Sequence, residues 1–327
     1  MTTRIALRRS FAVPTAALLS LGWLATACQQ AQHQQAQHDQ PLARIEVPGT
    51  AQAKAADYHS LHNVVTYGDG MVCGAVPEGP EGLATLKAMG IKTVVSVDGA
   101  TPDVAAAEAL GLRYIHLPIS YDTVSPERQR ELAQVIANAE GPIYMHCHHG
   151  KHRSAAALGS AMVLAGKLTP EQAVERMKVS GTSKDYQGLW KAVQEAQPLP
   201  AAALQADVTK FPKVSKVSGL VALMNELDVV IDNVKASHGA AWGVPANHPD
   251  LVPAKETKRL ASVYEQMQSD PESREYPADY QSMLEKSLAA ARALDAAVRS
   301  GDKTAADAQY SIVQKGCKEC HKVYRDQ

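Results

Sequence analysis

Aromatic residues are scarce in this chain of 327 residues: two Phe, three Trp and eleven Tyr amount to 5% of it. Its cores must therefore be built from Ala, Leu, Val and Ile, which suits Ala-rich helices. Neither sign of charge is in surplus. The 33 basic and 34 acidic residues leave a formal net charge of -1, so no basic excess is available for nucleic acid. Cysteine is sparse as well, with Cys28, Cys73, Cys147, Cys317 and Cys320 unevenly spread. An odd, scattered set excludes a disulfide framework, and each thiol needs its own explanation. What is present, 45% hydrophobic and 20% charged residues, is the composition of a globular protein, and the length suits about two domains.

One long apolar run exists, from Phe11 to Ala27, preceded by Arg4, Arg8 and Arg9 and interrupted by Pro14. At about 17 residues it is at the short limit of a membrane span and reads as a signal peptide over residues 1–28. Its end, Leu24-Ala25-Thr26-Ala27-Cys28, resembles the bacterial lipobox, with Ala25 where Leu is preferred. The resemblance implies lipidation of Cys28 and a periplasmic, membrane-anchored protein. Simple cleavage near Ala27 is the alternative, and Arg8-Arg9 leaves the export route open. Residues 29–55 begin with a Gln/His/Ala tract too polar to pack, including His33 and His38, and are expected to form a flexible linker.

Over residues 56–197, β-branched runs at 92–97, 114–117 and 143–146 alternate with helical patterns at 80–89, 103–110, 126–139 and 154–165. That is an α/β domain around a largely parallel sheet, whose ligands sit where strands lead into helices. One such loop reads His146-Cys147-His148-His149-Gly150-Lys151-His152-Arg153-Ser154. The five residues between Cys147 and Arg153 can wrap backbone N–H groups around a tetrahedral oxyanion at a helix N-terminus, with Gly150 where a side chain would collide. Arg153 can grip two phosphate oxygens, and the same positive field favours the thiolate, the form of Cys147 that attacks. Ser154 can hydrogen-bond the sulfur when it leaves.

This nonapeptide resembles the His-Cys-x5-Arg-Ser/Thr signature of the cysteine-dependent tyrosine and dual-specificity phosphatases, a likeness that extends over about 140 residues. The resemblance implies a phosphocysteine mechanism with Cys147 as nucleophile, His146 in the signature, and His148, His149, Gly150, Lys151 and His152 forming the phosphate loop. It also implies an upstream Asp as general acid. Asp122, 25 residues before Cys147, is the first choice, with Asp98 and Asp103 as substitutes and Glu127 weaker; a turn or cap is the ordinary role for Asp122. The four imidazoles are expected to splay outward and tune local charge near neutral pH, rather than to gather as a metal site.

Beyond a linker at 198–210 the pattern turns helical, with helices at 213–237, 253–269, 277–300 and 302–325 and short turns, which suggests a four-helix bundle over 211–327. The last helix carries Cys317-Lys318-Glu319-Cys320-His321, the spacing that attaches one c-type haem through two thioethers and offers an imidazole to the iron. Its placement resembles the cytochrome c′ family, which implies one covalent haem c and His321 as the proximal ligand. Met224 falls on the distal side, either as sixth ligand or as packing; His238 and His248 are outside candidates.

The combination reads as an exported phosphomonoester hydrolase fused to a haem domain for electron transfer or for redox or gas sensing. The competing reading is a haem protein whose phosphatase-like domain only binds oxyanions. Expected partners are a phosphorylated small molecule or phosphoprotein, a redox partner or diatomic gas, a membrane through the lipid anchor, and a second copy through the bundle, with no nucleic acid. Cys73 is left over, either a buried apolar residue or half of a reversible disulfide with Cys147.

Overall fold

The computed structural model describes residues 44–246, 248–249 and 251–325. The expected signal peptide, Cys28, His33 and His38 lie outside the described residues. Among the described residues, no helix is long and apolar enough to cross a membrane.

The first part is a six-stranded sheet of β1 (Ala56–Tyr58), β2 (Leu61–Gly68), β3 (Met71–Gly74), β4 (Thr93–Ser96), β5 (Arg113–His116) and β6 (Ile143–His146), in the spatial order β1-β2-β3-β6-β4-β5. The four strands from β3 to β5 are parallel, as the βα alternation predicts, whereas β1 and β2 run antiparallel, so the sheet is mixed. The turn explains β2. Asp69 and Gly70 connect it to β3 with φ of 47° and 74°, and two positive φ angles in a two-residue loop make a hairpin.

Side chains alternate across the parallel strands. Cys73, Val95, Ile115 and Met145 face one core, and Val72, Val94, Tyr114 and Tyr144 face the other. Helices α1 (Gly79–Ala88) and α2 (Val104–Ala109) cover the second face. The first is covered by α3 (Pro126–Asn138), α4 (Arg153–Leu164), α5 (Pro170–Ser180) and α6 (Gln187–Gln194). Every residue of α4 is buried, which its run of Ala, Gly and Ser permits by letting neighbours approach closely. Sequence periodicity missed α5 and α6, although Thr169 and Gln172 form a capping box and Gly181, at φ 80°, ends α5.

Two expected boundaries move. From Arg44 on the chain is packed rather than flexible: Ile45 and Val47 lie against the α1 core, and the Gln52 side chain bonds to Val64 and Thr66 in β2. The linker at 198–210 is docked too, because Gln134 and Asn138 of α3 donate to the carbonyls of Ala203 and Leu204, and Arg113 donates to that of Val208. The docking continues to Ser215. His116 N–H donates to Pro212 and His116 Nδ1 accepts from Ser215 N–H, so residues 211–216 belong with the sheet.

The helical part comprises α7 (Gly219–Gly239), α8 (Pro253–Ser269), the short α9 (Pro271–Glu275), α10 (Ala278–Ser300) and α11 (Lys303–Tyr324). Helix α7 packs on α8, α8 on α10 and α10 on α11, around a core that includes Leu227, Val230, Leu260, Leu288, Leu294 and Val313. The seam between α7 and α11 is the loosest of the bundle. In the sheet domain, Leu132 of α3 is fully buried against the sheet and α4. Leu132→Ala is expected to cost about 2–5 kcal/mol in urea denaturation followed by circular dichroism.

Candidate functional site

The loop after β6 stands at the carboxyl edge of the parallel strands and runs into the N-terminus of α4, where backbone N–H groups favour an anion. Gly150, at φ 71°, is required there. A Cβ on it would lie 2.2 Å from the carbonyl carbon of Gly74 and 2.3 Å from Ala75 N, and neither backbone atom can yield. The loop is fastened from below by Val76 N–H donating to the His148 carbonyl at 3.1 Å, and by Asn63 Nδ2 donating to the Gly150 carbonyl at 3.0 Å. Lys151 is exposed, and its carbonyl accepts from Thr182 Oγ1 at 2.6 Å.

Cys147 is buried, and Ser154 Oγ lies 3.4 Å from its Sγ and 3.9 Å from Cys73 Sγ. Both cysteines are free thiols; burial pushes Cys73 up to about 12, which keeps it protonated and apolar in β3.

Arg153 is only 4% exposed, and each of its groups has a defined position. Nη1 donates to Asp98 Oδ1 at 3.0 Å, Nη2 donates to Tyr121 Oη at 3.2 Å, and the buried Nε has no acceptor among the described residues. Asp98 also accepts from Gly99 N–H at 2.7 Å. Burial works against its charge, but Arg153, His148, His146 and that N–H outweigh it and hold the carboxyl below its usual range.

This bond gives Asp98 a different role from the acid it was a substitute for: it is the counter-charge of Arg153. Asp103 caps α2, accepting from Ala106 N–H at 3.0 Å, and Glu127 is exposed in the first turn of α3. Asp122 is exposed on the loop after β5, where its N–H donates to Ser120 Oγ at 3.2 Å; among the described residues nothing ties its carboxylate to the Cys147 loop. Its neighbour Tyr121 is the residue of that loop that reaches Arg153.

The four imidazoles do not behave as one set. Burial lowers His146 and His152 to about 4, so both are neutral; His146 bonds to Tyr114 Oη at 2.6 Å, and His152 Nδ1 accepts from Ser183 N–H at 3.1 Å. His148 and His149, far from splaying apart, turn toward Asp232 of α7, at 3.0 and 3.4 Å from its Oδ2. Burial lowers His148, but the bond to Asp232 and the charges of Asp98 and Asp228 prevail and raise it.

Helix α7 therefore crosses the loop with one face. Val221 and Asn225 approach Gly99, and Asp232 meets the two histidines. Asp228 lies on that face, its carboxyl raised by burial, with His148 and Arg153 opposing. From just beyond α11, Arg325 stacks 4.2 Å from the Tyr121 ring and donates to Tyr186 Oη at 2.8 Å. The charges on α7 had no sequence signal, since an acidic residue on a helix is ordinarily a solvated one.

Cys317, Cys320 and His321 stand at i, i+3 and i+4 on α11. Both thiols, like Met224, pack against the helical core, and Tyr264 Oη is 3.4 Å from Cys317 Sγ. Burial lowers His321 to about 4, leaving a neutral imidazole suited to a metal. Because α7 and α11 run antiparallel and meet where His238 pairs with Asp307, Met224 and His321, each 14 residues beyond that contact, stand at one level about 21 Å along. The donor set and the loose seam between these two helices fit a haem. His238 is engaged by Trp242, Tyr310 and Asp307 at the other end, and His248 is exposed.

The buried ion pair makes stability depend on acid. A carboxyl depressed below 3.8 contributes stability above that value and loses it as pH falls through the folded-state value. Asp98→Ala leaves Arg153 buried and unpaired and is expected to cost about 3–5 kcal/mol at neutral pH. In urea denaturation at a series of pH values, the gap from the parent protein should narrow below the ordinary carboxylate range.

Comparison with known proteins matches a different family in each part of the chain. Residues 71–167 match the family described as "Polymorphic toxin system, DSP-PTPase phosphatase", and residues 245–325 match "Cytochrome C'", which implies haem binding. No curated protein matches the chain significantly. Among solved structures, TpbA of P. aeruginosa is similar at 26% identity and a TM-score of 0.38 over 46% of this chain and 94% of that one. A TpbA variant in complex with pTyr gives 24% and 0.37 over 45% and 93%. The core catalytic domain of the PP-IP phosphatase SIW14 of S. cerevisiae gives 14% and 0.36 over 41% and 85%. The two family matches thus give one chain a DSP-PTPase-like phosphatase domain and a cytochrome c′ domain.

Proposed function

We propose that the protein is an exported phosphomonoester hydrolase that works through a phosphocysteine at Cys147. The observation that carries this reading is the buried Nε of Arg153, which has no acceptor among the described residues and stands where the Cys147 loop enters α4. A buried donor without an acceptor is costly, and a phosphoryl oxygen supplies what it lacks.

In the first step the Cys147 thiolate attacks phosphorus, the bond from phosphorus to the leaving oxygen breaks, and Asp122 gives that oxygen a proton. Arg153 and the loop amides hold the three equatorial oxygens. In the second step water attacks phosphorus, Asp122 takes back a proton, and the sulfur leaves as thiolate with the Ser154 hydroxyl donating to it. Asp98, held ionised against Arg153, is unsuited to giving up a proton and serves as an anchor. For Asp122 to act, its exposed loop has to bring the carboxylate over the bound substrate.

Haem would be held by thioethers to Cys317 and Cys320, with His321 as proximal ligand and Met224 on the facing side. When bound it supplies one-electron or diatomic-gas chemistry. The leader and Cys28 place the protein at the periplasmic side of a membrane in this reading, with phosphorylated small molecules or proteins as substrates.

p-Nitrophenyl phosphate tests the enzyme reading on the reduced full chain. Hydrolysis is expected to vanish in Cys147→Ser and to fall about 10²–10⁴-fold in Asp122→Asn. Absence of turnover from mildly acidic to neutral pH, or activity surviving in Cys147→Ser, contradicts it. For the haem, colour should stay with the denatured chain and be lost in Cys317→Ser/Cys320→Ser; haem that washes out of the parent protein contradicts covalent attachment.

A further inference from the structure

The contact between α7 and the loop has more structure than an ion pair requires. His148 and His149 are consecutive, yet both aim Nε2 at one oxygen, Oδ2 of Asp232, at 3.0 and 3.4 Å. The three ligand atoms all lie within 4.8 Å of one another, and the two rings stand almost perpendicular, with centroids 4.5 Å apart and an interplanar angle of 84°. We propose that His148, His149 and Asp232 form a binding site for a divalent transition-metal ion of the zinc class, which clasps the helical domain onto the phosphate loop.

Spacing supports an ion in this position. Two metal–ligand bonds of about 2.0–2.1 Å at a tetrahedral angle hold their donor atoms about 3.3–3.4 Å apart. The observed separations from Oδ2 are close to that edge length. Composition supports the same class: two imidazoles and one carboxylate suit zinc and its neighbours, whereas calcium and magnesium take oxygen ligands. Three protein ligands leave a fourth position for water.

Charge favours an ion as well. Holding two imidazoles against a single oxygen by hydrogen bonds alone requires an Nε2 proton on each, and full ionisation sets two like charges side by side. A dication in the middle takes both imidazoles neutral and balances Asp232 and its neighbour Asp228 on the same face of α7. Exposure is graded as an ion site needs: the side chain of His148 is 15% exposed, while those of His149 and Asp232 are 49% and 45% exposed, which leaves a way in. His148 directly follows Cys147, so the ion would sit beside the phosphate cradle and add positive charge there. The ligands come from both domains, so occupancy and domain contact are one equilibrium.

Zinc itself is the probe. The haem-loaded full chain is stripped with chelator, dialysed against buffered zinc and assayed for retained metal. The expected result is one zinc per chain, bound about tenfold or more weakly in His149→Ala and in Asp232→Asn, both checked for folding by circular dichroism. X-ray absorption at the zinc edge should show nitrogen and oxygen ligands without sulfur. No retained zinc in the parent protein means an ion pair only and overturns the proposal. Unchanged zinc in Asp232→Asn, or a sulfur ligand, places the metal elsewhere, such as at Cys147 or the His33/His38 stretch, and overturns it equally.

Discussion

A guanidinium removed from water is the constraint around which the phosphatase part is arranged. Arg153 begins the central helix of that domain, with its neighbours on α4 buried in the core, so its charge cannot turn outward. A buried cation must be paired. Asp98 supplies the counter-charge from the loop after β4, Tyr121 adds an acceptor and an aromatic face from the loop after β5, and the Cys147 loop comes from β6. Three neighbouring strands of the parallel sheet thus deliver their carboxyl-end loops to one side chain. The remaining Nε has no acceptor among the described residues.

Much of this was legible in the sequence because the residues carrying it have few alternatives. A Cys and an Arg separated by five residues between a strand and a helix leave little room for another geometry, and Gly150 sits where the Gly74–Ala75 backbone forbids a side chain. The haem spacing on α11 is equally restrictive. Asp98 and Tyr121 were harder to read, since their roles depend on strand order: β4 lies between β6 and β5 in the sheet, while both β4 and β5 are far from β6 in the chain. The antiparallel β1 and β2 escaped notice because β1 has only three residues and β2, though eight residues long, carries His62, Asn63 and Thr66 among its apolar positions.

What sequence could not reach was the meeting of the two parts. Each half reads as a self-sufficient pattern, and nothing in Asp228, Asp232 or Arg325 marks them apart from other surface charges. Only the docking of residues 198–216 along the sheet edge, which carries the chain to Ser218 and the start of α7, sets that helix across the loop. Arg325 then reaches Tyr121 from only four residues beyond His321, so the residue that follows α11 touches an aromatic ring that also contacts Arg153.

The central claim is that phosphate passes through the sulfur of Cys147. Rapid acid quenching during turnover, followed by mass spectrometry of the peptide containing Cys147, tests it most directly. The account predicts one phosphoryl group on that peptide, enriched in Asp122→Asn, where activation of water is slowed, and absent in Cys147→Ser. Hydrolysis proceeding with no phosphoryl adduct at Cys147, or with the adduct on a histidine of the loop, would contradict it.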